Sequence, residues 1–180
     1  MELFDLIAQG LGIIAMAFAI ISYQMKTSTG VILCQMLAGA FFCVSFFMLD
    51  ATVGAILNGI ATFRGIIYIY KDKTRADHIG WLVFFECLFV LSYILTFTVF
   101  GKEFTPVNAI VELLPVIGMT ASTISFRLSS AKAIRRFGLI SSPSWLIYNS
   151  INFAIGAIIS ETLSLISIVI GMIRLDRKKS

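Results

Sequence analysis

Long apolar stretches follow one another along the chain, and the short segments between them hold most of the charged residues. A membrane-spanning α-helix needs about 20 mostly apolar residues, because the hydrocarbon core of a bilayer is about 30 Å thick. Strands of a membrane barrel instead alternate in polarity over about ten residues. The pattern therefore predicts seven spanning helices, near residues 6–24, 31–49, 52–70, 80–100, 107–126, 137–154 and 156–174.

The composition agrees with an all-α integral membrane protein. Of the 180 residues, 58% are hydrophobic and only 13% are charged. A soluble domain has about 25% charged residues, so this chain has too few to cover a water-exposed surface. The first stretch is predicted to be a span and not a cleaved signal. It follows Glu2 and Asp5 and no basic residue, the reverse of the start of a signal peptide.

The basic residues predict the orientation of the chain in the membrane. With seven spans, 12 of the 14 Lys and Arg residues fall on one side, Lys102 falls on the other, and Arg64 lies within a span. Lys and Arg accumulate on the cytoplasmic side. We therefore expect the N-terminus outside and the C-terminus in the cytoplasm. The net charge of +4 is explained by this asymmetry, and no nucleic-acid partner is expected.

An internal repeat relates the first three spans to the last three. ISYQMKTS (21–28) matches ISFRLSSA (124–131), and VGAILNGIATFRG (53–65) matches IGAIISETLSLIS (155–167). One span between two three-span units leaves both units in the same orientation, as in parallel repeats. The prediction is a single membrane domain with a 3+1+3 arrangement. Its parts are a first three-helix repeat at 1–73, a linker helix at 79–101 and a second three-helix repeat at 107–180.

Small and polar residues recur at equivalent positions of the third and seventh spans. In the repeat alignment Asn58 matches Ser160, and Thr62 matches Ser164. A spacing of four places each pair on one helical face. The stripes could serve helix packing, where small residues allow close approach and polar ones form interhelical hydrogen bonds. Alternatively, they line a path for a polar solute, and for Asn58 we favour that hypothesis.

Arg64 and Glu86 are predicted to form an intramembrane ion pair. A charged residue near the centre of a spanning helix is costly. Arg64 lies six residues from the end of the third predicted span, and Glu86 lies six residues into the fourth from the same side. A direct pair would tie the linker helix to the first repeat. In the alternative, Arg64 extends alone towards the membrane interface.

Other residues within the predicted spans suggest a cavity wall and hinges. Trp145 lies mid-span in the polar stretch SSPSWLIYN, which favours a cavity wall over a lipid-facing position. Pro115 and Pro143 each free a backbone carbonyl and permit a hinge. Gly12 occupies the position equivalent to Pro115 in the first repeat. The cysteines all fall inside spans without a metal-binding spacing, and HExxH and GxSxG are absent, so neither a cofactor, a metal nor an enzymatic activity is expected.

The residues resemble a known superfamily. The 3+1+3 arrangement resembles the SWEET sugar facilitators and their half-size SemiSWEET relatives, within the MtN3/PQ-loop superfamily. GAILNGIATFRGIIYIYK is similar to the third span of that superfamily at Asn58-Gly59, and SPSWLIYNSINFAIGAIIS is similar to its last hairpin at Trp145 and Tyr148. ISYQMKTS resembles the PQ-loop signature. As a whole, the chain most resembles the bacterial YgjV-type inner-membrane proteins.

The chain departs from the superfamily pattern at three places. Tyr23 stands where the signature has Pro, and Phe126-Arg127 replaces Pro-Gln in the second repeat. Ser160 stands where a second substrate-binding Asn is expected. These departures affect the predicted site more than the predicted fold.

The resemblance implies a facilitator for a small polar solute, a sugar or another neutral metabolite, in the bacterial inner membrane. The two halves would rock around a central site. Its expected solute-binding residues are Asn58, Ser160, Trp145, Thr62 and Ser164. The alternative is a non-transporting subunit or regulator that keeps the fold with a degenerate pore. The lipid bilayer is the other expected partner, and a homo-oligomer is left open.

Overall fold

The computed structural model describes residues 3–49, 52–152 and 155–176, so the predicted bounds at residues 1 and 180 lie outside the described residues. Within those ranges the chain is helical and contains no β-strand. A π-helical turn at Met172–Asp176 follows the last α-helix. The eight α-helices of the described ranges are α1 Leu3–Ser22, α2 Ser28–Met48, α3 Thr52–Ile69, α4 Lys71–Thr74, α5 Ile79–Thr98, α6 Pro106–Arg127, α7 Ala131–Ile151 and α8 Ile155–Gly171.

The helices have the length and composition of an all-α integral membrane protein. A long helix covers most of each predicted stretch, and α4 is a single short turn in a connection. Two shorter apolar helical segments lie at Leu6–Ser22 and Gly54–Ile69. Four segments are long and apolar enough to cross a membrane: Ser28–Met48, Ile79–Thr98, Pro106–Arg127 and Gly156–Asp176.

The start of α7 differs from the prediction, which placed it near residue 137. The helix begins at Ala131, because the Ser130 side chain accepts a hydrogen bond from the backbone N–H of Ala133. Polar side chains at an N-cap satisfy backbone donors in this way. The first turns of α7 contain Lys132, Arg135 and Arg136, which hydropathy alone excludes from a span.

The long helices form two layers of three. In the first layer α2 packs between α1 and α3, and in the second layer α7 packs between α6 and α8. The layers face each other, with α1 against α8, α2 against α7 and α3 against α6. Helix α5 packs against α6, and its Phe85 ring lies 6.4 Å from the ring of Tyr68 on α3.

Apolar side chains fill the space between the layers at one end. We call this the basic end, because the α1–α2, α3–α5 and α6–α7 connections with their Lys and Arg residues lie there. Phe85, Phe126 and Val31 are almost completely buried in this core. Tyr23 and Met25 of the α1–α2 connection pack against it. The interface between the layers is therefore closed by packed side chains at the basic end.

Candidate functional site between the two helical layers

Arg64 crosses from the first layer to the second. Its side chain is buried, with 5% exposure. Nη1 donates hydrogen bonds to the backbone oxygen of Met119 at 3.0 Å and to Oγ1 of Thr123 at 2.9 Å, both on α6. The guanidinium carbon lies 4.9 Å from the centre of the Phe126 ring. Arg64 therefore joins α3 to α6 by two hydrogen bonds and a cation–π contact.

The predicted direct ion pair between Arg64 and Glu86 is not formed. The Glu86 carboxylate accepts a hydrogen bond from Thr120 on α6 at 2.6 Å. Because α6 offers nearby hydrogen-bonding groups to both side chains, each bonds to α6 and not to the other. The alternative, in which Arg64 extends alone to the membrane interface, does not fit its burial either. The ion pairs of the described residues are Lys102–Glu112 and Arg135–Asp176.

A second polar contact between the layers joins α8 to the end of α1. The Gln24 side-chain amide donates to the backbone oxygen of Ser167 at 2.7 Å and to its hydroxyl at 2.9 Å. The Ser167 hydroxyl donates to the backbone oxygen of Ile20 at 2.7 Å. In the alignment of 53–65 with 155–167, Ile166 matches Arg64 and Ser167 matches Gly65. The two contacts are therefore made from adjacent, not equivalent, positions of the repeat.

A row of polar side chains lies where the two layers face each other. Ser142 of α7 donates to a carboxylate oxygen of Glu161 at 2.5 Å. The Tyr23 hydroxyl neighbours the side chains of Ser142 and Gln35. Gln35 of α2 in turn donates to the Ser22 hydroxyl at 3.4 Å. An ionisable group inside a span is by default a candidate functional group, and among the described residues no Lys or Arg pairs with Glu161.

Arg135 holds three segments together at the basic end. It is 2% exposed and pairs with Asp176, with Nε 3.0 Å from the second carboxylate oxygen. Its Nη1 donates to the backbone oxygens of Met25 at 3.0 Å and Tyr23 at 3.4 Å. At Gly171 an added Cβ would lie 2.5 Å from the Tyr23 oxygen, so α8 approaches this connection closely. We call the Arg135–Asp176 pair with these two carbonyls the latch.

Asn58 and Thr62 lie where α3 packs against α2. The Asn58 amide donates to the backbone oxygen of Gly54 at 2.9 Å, and the Thr62 hydroxyl donates to that of Asn58 at 2.8 Å. At Gly39 of α2 an added Cβ would lie 2.9 Å from the Thr62 hydroxyl. The α3 stripe therefore serves close helix packing in this structure. Solute binding by Asn58 and Thr62 stays a prediction.

Ser160 and Ser164 are buried on α8, with 7% and 4% exposure. Helix α8 packs against α7 and α1, whereas α3 packs against α2 and α6. Among the described residues no hydrogen bond joins the α3 stripe to the α8 stripe. The two stripes thus belong to different layers, and a shared role in solute binding stays a prediction.

Trp145 packs against α6 beside a small cavity. At Gly118 an added Cβ would lie 2.9 Å from the indole ring, and the ring stands edge-on to Tyr148 at 5.9 Å. The Tyr148 hydroxyl donates to Glu112 at 3.5 Å. Tyr148, Glu112, Pro115 and Met119 help to line a cavity of about 30 Å³ between α3, α5, α6 and α7.

The three predicted hinge residues lie within continuous helices. Pro115 is inside α6 and Pro143 is inside α7. At Gly12 an added Cβ would lie 3.3 Å from the Ser45 hydroxyl, which donates to the backbone oxygen of Ala8 at 2.8 Å. Gly12 therefore allows α1 and α2 to approach, and hinge motion at these residues stays a prediction.

Comparison with known proteins identifies the family of the chain. The model of the Imp-YgjV family, described as a bacterial inner membrane protein, matches residues 6–179. The chain belongs to this family. A comparison with curated proteins and one with solved structures found no match. The match includes nearly all residues of the described helices.

Several residues of this Imp-YgjV member were not singled out in the sequence. In the sequence Arg135 is one of many basic loop residues, and its burial depends on Asp176 and on two backbone carbonyls. Gln24 and Tyr23 stand out in the sequence only by their positions in a signature. Polar residues that alternate with apolar ones at a span boundary, as in ISYQMKTS, are a signal that could have indicated a buried polar contact.

Proposed function

We propose that the chain is a facilitator-type transporter for a small polar solute, a sugar or another neutral metabolite. The observation that carries this proposal is the packing of two three-helix layers face to face. Exchanging α1 with α6, α2 with α7 and α3 with α8 maps this set of helix contacts onto itself. The same exchange turns the α1–α8 contact into the α6–α3 contact. This relation supports the 3+1+3 arrangement of parallel repeats, with α5 as linker.

The orientation follows from the basic residues. The basic end of the two layers is the cytoplasmic end, since Lys and Arg accumulate on that side. The N-terminus is then outside and the C-terminus is inside. In this orientation the apolar core and the latch close the cytoplasmic end of the interface.

Alternating access supplies the mechanism. The two layers rock against each other, so that the interface opens at one end while it closes at the other. The row of Gln35, Tyr23, Ser142 and Glu161 provides hydrogen-bonding groups within that interface. The contacts of Arg64 with α6 and of Ser167 with α1 are among the polar contacts between the layers that such a motion changes.

A second candidate function is a non-transporting subunit or regulator. The observation in its favour is the cavity of about 30 Å³ beside Tyr148. Ligand sites usually occupy about 300 to 1,000 Å³, and a volume this small suits about one water molecule. A protein of this kind keeps the two layers packed and does not open.

Uptake into liposomes distinguishes the two candidates. The purified chain in liposomes is tested against a panel of sugars and neutral metabolites, with empty liposomes as the blank. We expect uptake of at least one solute, and reduced uptake for Asn58→Ala. Asn152→Ala is the matched control, because its exposed amide donates to the carbonyl four residues earlier, as that of Asn58 does.

The outcomes separate the function from the site. A panel without any uptake above empty liposomes contradicts the transporter and favours the subunit. Uptake that Asn58→Ala leaves equal to that of Asn152→Ala contradicts the assignment of Asn58 to the solute site.

A further inference from the structure

Three buried polar atoms near the contact between α3, α5 and α6 have no hydrogen-bond partner among the described residues. They are Nε of Arg64, the hydroxyl of Tyr68 and Oε1 of Glu86. Arg64 and Tyr68 are 5% and 3% exposed. Buried polar atoms are nearly always hydrogen-bonded to protein or to an ordered small molecule, because a lost partner costs free energy. Three such atoms in one place indicate a binding site.

The three side chains meet at the contact between α3, α5 and α6. Arg64 and Tyr68 are four residues apart on α3 and so share a helical face. Both lie against Phe126, with the guanidinium carbon at 4.9 Å and the Tyr68 ring at 5.9 Å from its ring centre. Tyr68 also lies against Phe85, the residue before Glu86. Glu86 bonds to Thr120 and Arg64 bonds to Thr123, so the two side chains approach the same face of α6.

Other atoms of the charged side chains already have partners. Arg64 gives Nη1 to Met119 and Thr123, and Glu86 accepts from Thr120 through Oε2. The fully buried atoms without a partner here are one N–H donor, one carboxylate acceptor and a phenol that can act as either. An occupant must therefore accept from Arg64 and donate to Glu86.

A single hydroxyl group meets both requirements. An anion would accept from Arg64 but lie beside the Glu86 carboxylate, and a cation would meet the reverse conflict. We propose that Arg64, Tyr68 and Glu86 form a hydroxyl-binding site, whose occupant is either a water molecule or a hydroxyl of a neutral polyol. The occupant links α3 to α5, so that Arg64 and Glu86 are coupled through an intervening group. Only the polyol source depends on the proposed transport function.

Thermal unfolding of the purified full-length chain in detergent tests the site. Tyr68→Phe removes only the hydroxyl, and Glu86→Gln replaces the carboxylate by an amide. We expect each to lower Tm by about 2 to 4 °C, the shift that a single lost interaction gives in a protein of this size. The double variant should lose less than the sum of the two, because one occupant serves both groups. Tyr70→Phe is the matched control, because Tyr70 is 55% exposed.

The source of the hydroxyl is tested in the same assay at millimolar sugar, where general stabilisation by osmolytes is negligible. Glucose, sucrose and glycerol that raise Tm of the wild type but not of Tyr68→Phe identify a polyol hydroxyl. Water is identified if the double variant loses less Tm than the sum of the two single variants and none of these polyols shifts Tm. The site is overturned if Tyr68→Phe and Glu86→Gln each lower Tm no more than Tyr70→Phe does. It is also overturned if the two Tm changes are strictly additive and no polyol shifts Tm. None of these measurements requires transport.

Discussion

Arg64 illustrates how individual side chains overcome the cost of charge inside the membrane domain. A charged side chain at the centre of a spanning helix costs at least about 2.5 kcal/mol. Two hydrogen bonds to α6 and the face of Phe126 offset this cost. Removing one of these partners is therefore a more informative change than removing Arg64 itself, since replacing a buried charge by an apolar residue also removes its desolvation penalty.

Replacing Thr123 by Val is expected to destabilise the fold by about 1 kcal/mol, the usual net value of one buried hydrogen bond. The change keeps the shape of the side chain but removes the oxygen that accepts from Arg64 at 2.9 Å. Equilibrium unfolding in mixed detergent micelles measures it. Thr98→Val is the control, since Thr98 is exposed and donates only within its own helix. Equal stability of the two variants would contradict a cross-layer role for Thr123.

The sequence predicted that Arg64 is buried and needs a partner, but it named the wrong one. Arg64 and Glu86 lie at similar depths on two consecutive predicted spans, which makes Glu86 the nearest charge. A comparison of depths gives no information about α6, which packs beside both. Once α6 packs beside α3, a backbone carbonyl and a hydroxyl on α6 take the Arg64 donor. The partner of a buried charge depends on which helices become neighbours, and this is a tertiary property.

At the scale of helices, small residues determine how closely α2 and α3 approach. At Gly65 an added Cβ would lie 2.6 Å from the Cβ of Met36, below any tolerable contact. Association of helices in a membrane relies on such packing, because lipid tails are as apolar as the side chains they compete with. Gly39, Thr62 and Gly65 are therefore structural in this conformation, whatever else they do.

Gly65→Ala should destabilise the fold by about 1 to 3 kcal/mol, since overpacking forces backbone or rotamer shifts. Gly10→Ala on α1 should have the opposite sign, with a gain of up to about 1 kcal/mol. At Gly10 nothing lies within 4 Å of an added Cβ, and Ala favours a helix over Gly. The same unfolding assay compares the two. A neutral Gly65→Ala would show that α2 and α3 are less closely packed than described.

The latch connects three elements that are distant along the chain. Arg135→Gln should cost about 3 kcal/mol or more, because it leaves Asp176 buried without its cation. The side chains of the pair are 3% and 8% exposed, so solvent screens them little. Arg136→Gln is the control, as Arg136 is the exposed neighbour on the same helix. Thermal unfolding measures both variants.

Restoration by a second change tests the pairing itself. Asp176→Asn in the Arg135→Gln background should cost less than it does alone, because no charge is left unpaired. Full additivity of the two changes would contradict the ion pair. The backbone acceptors Tyr23 and Met25 remain in all variants, so some of the loss persists in the double variant.

At the scale of the whole molecule, the basic end predicts the orientation of the chain in the membrane. A periplasmic reporter fused to the N-terminus and a cytoplasmic reporter fused to the C-terminus should both be active. The reason is that 12 of the 14 Lys and Arg residues then lie in the cytoplasm. Active reporters in the exchanged positions, with inactive ones in the predicted positions, would reverse the orientation and place the latch outside.

The repeat illustrates what a sequence match can and cannot predict about architecture. The match of 21–28 with 124–131 predicted which segments are equivalent, and each outer helix makes a polar contact with the other layer: Arg64 with α6 and Ser167 with α1. The match gave no information on which helix is central in each layer. In the structure α2 and α7 are the central helices. Gly39 of α2 allows close approach to α3, and Gly118 of α6 allows close approach of α7.

By itself the sequence determined the membrane class, the approximate bounds of most long helices and some of the residues that need partners inside. These properties depend on hydropathy, length and local charge, which are local along the chain. Only the tertiary structure decided that Arg64 bonds to α6, that Arg135 is buried with Asp176 and that the α3 stripe faces α2. Each depends on contacts between helices far apart in sequence, where side-chain shape and unsatisfied hydrogen-bonding groups select the neighbours.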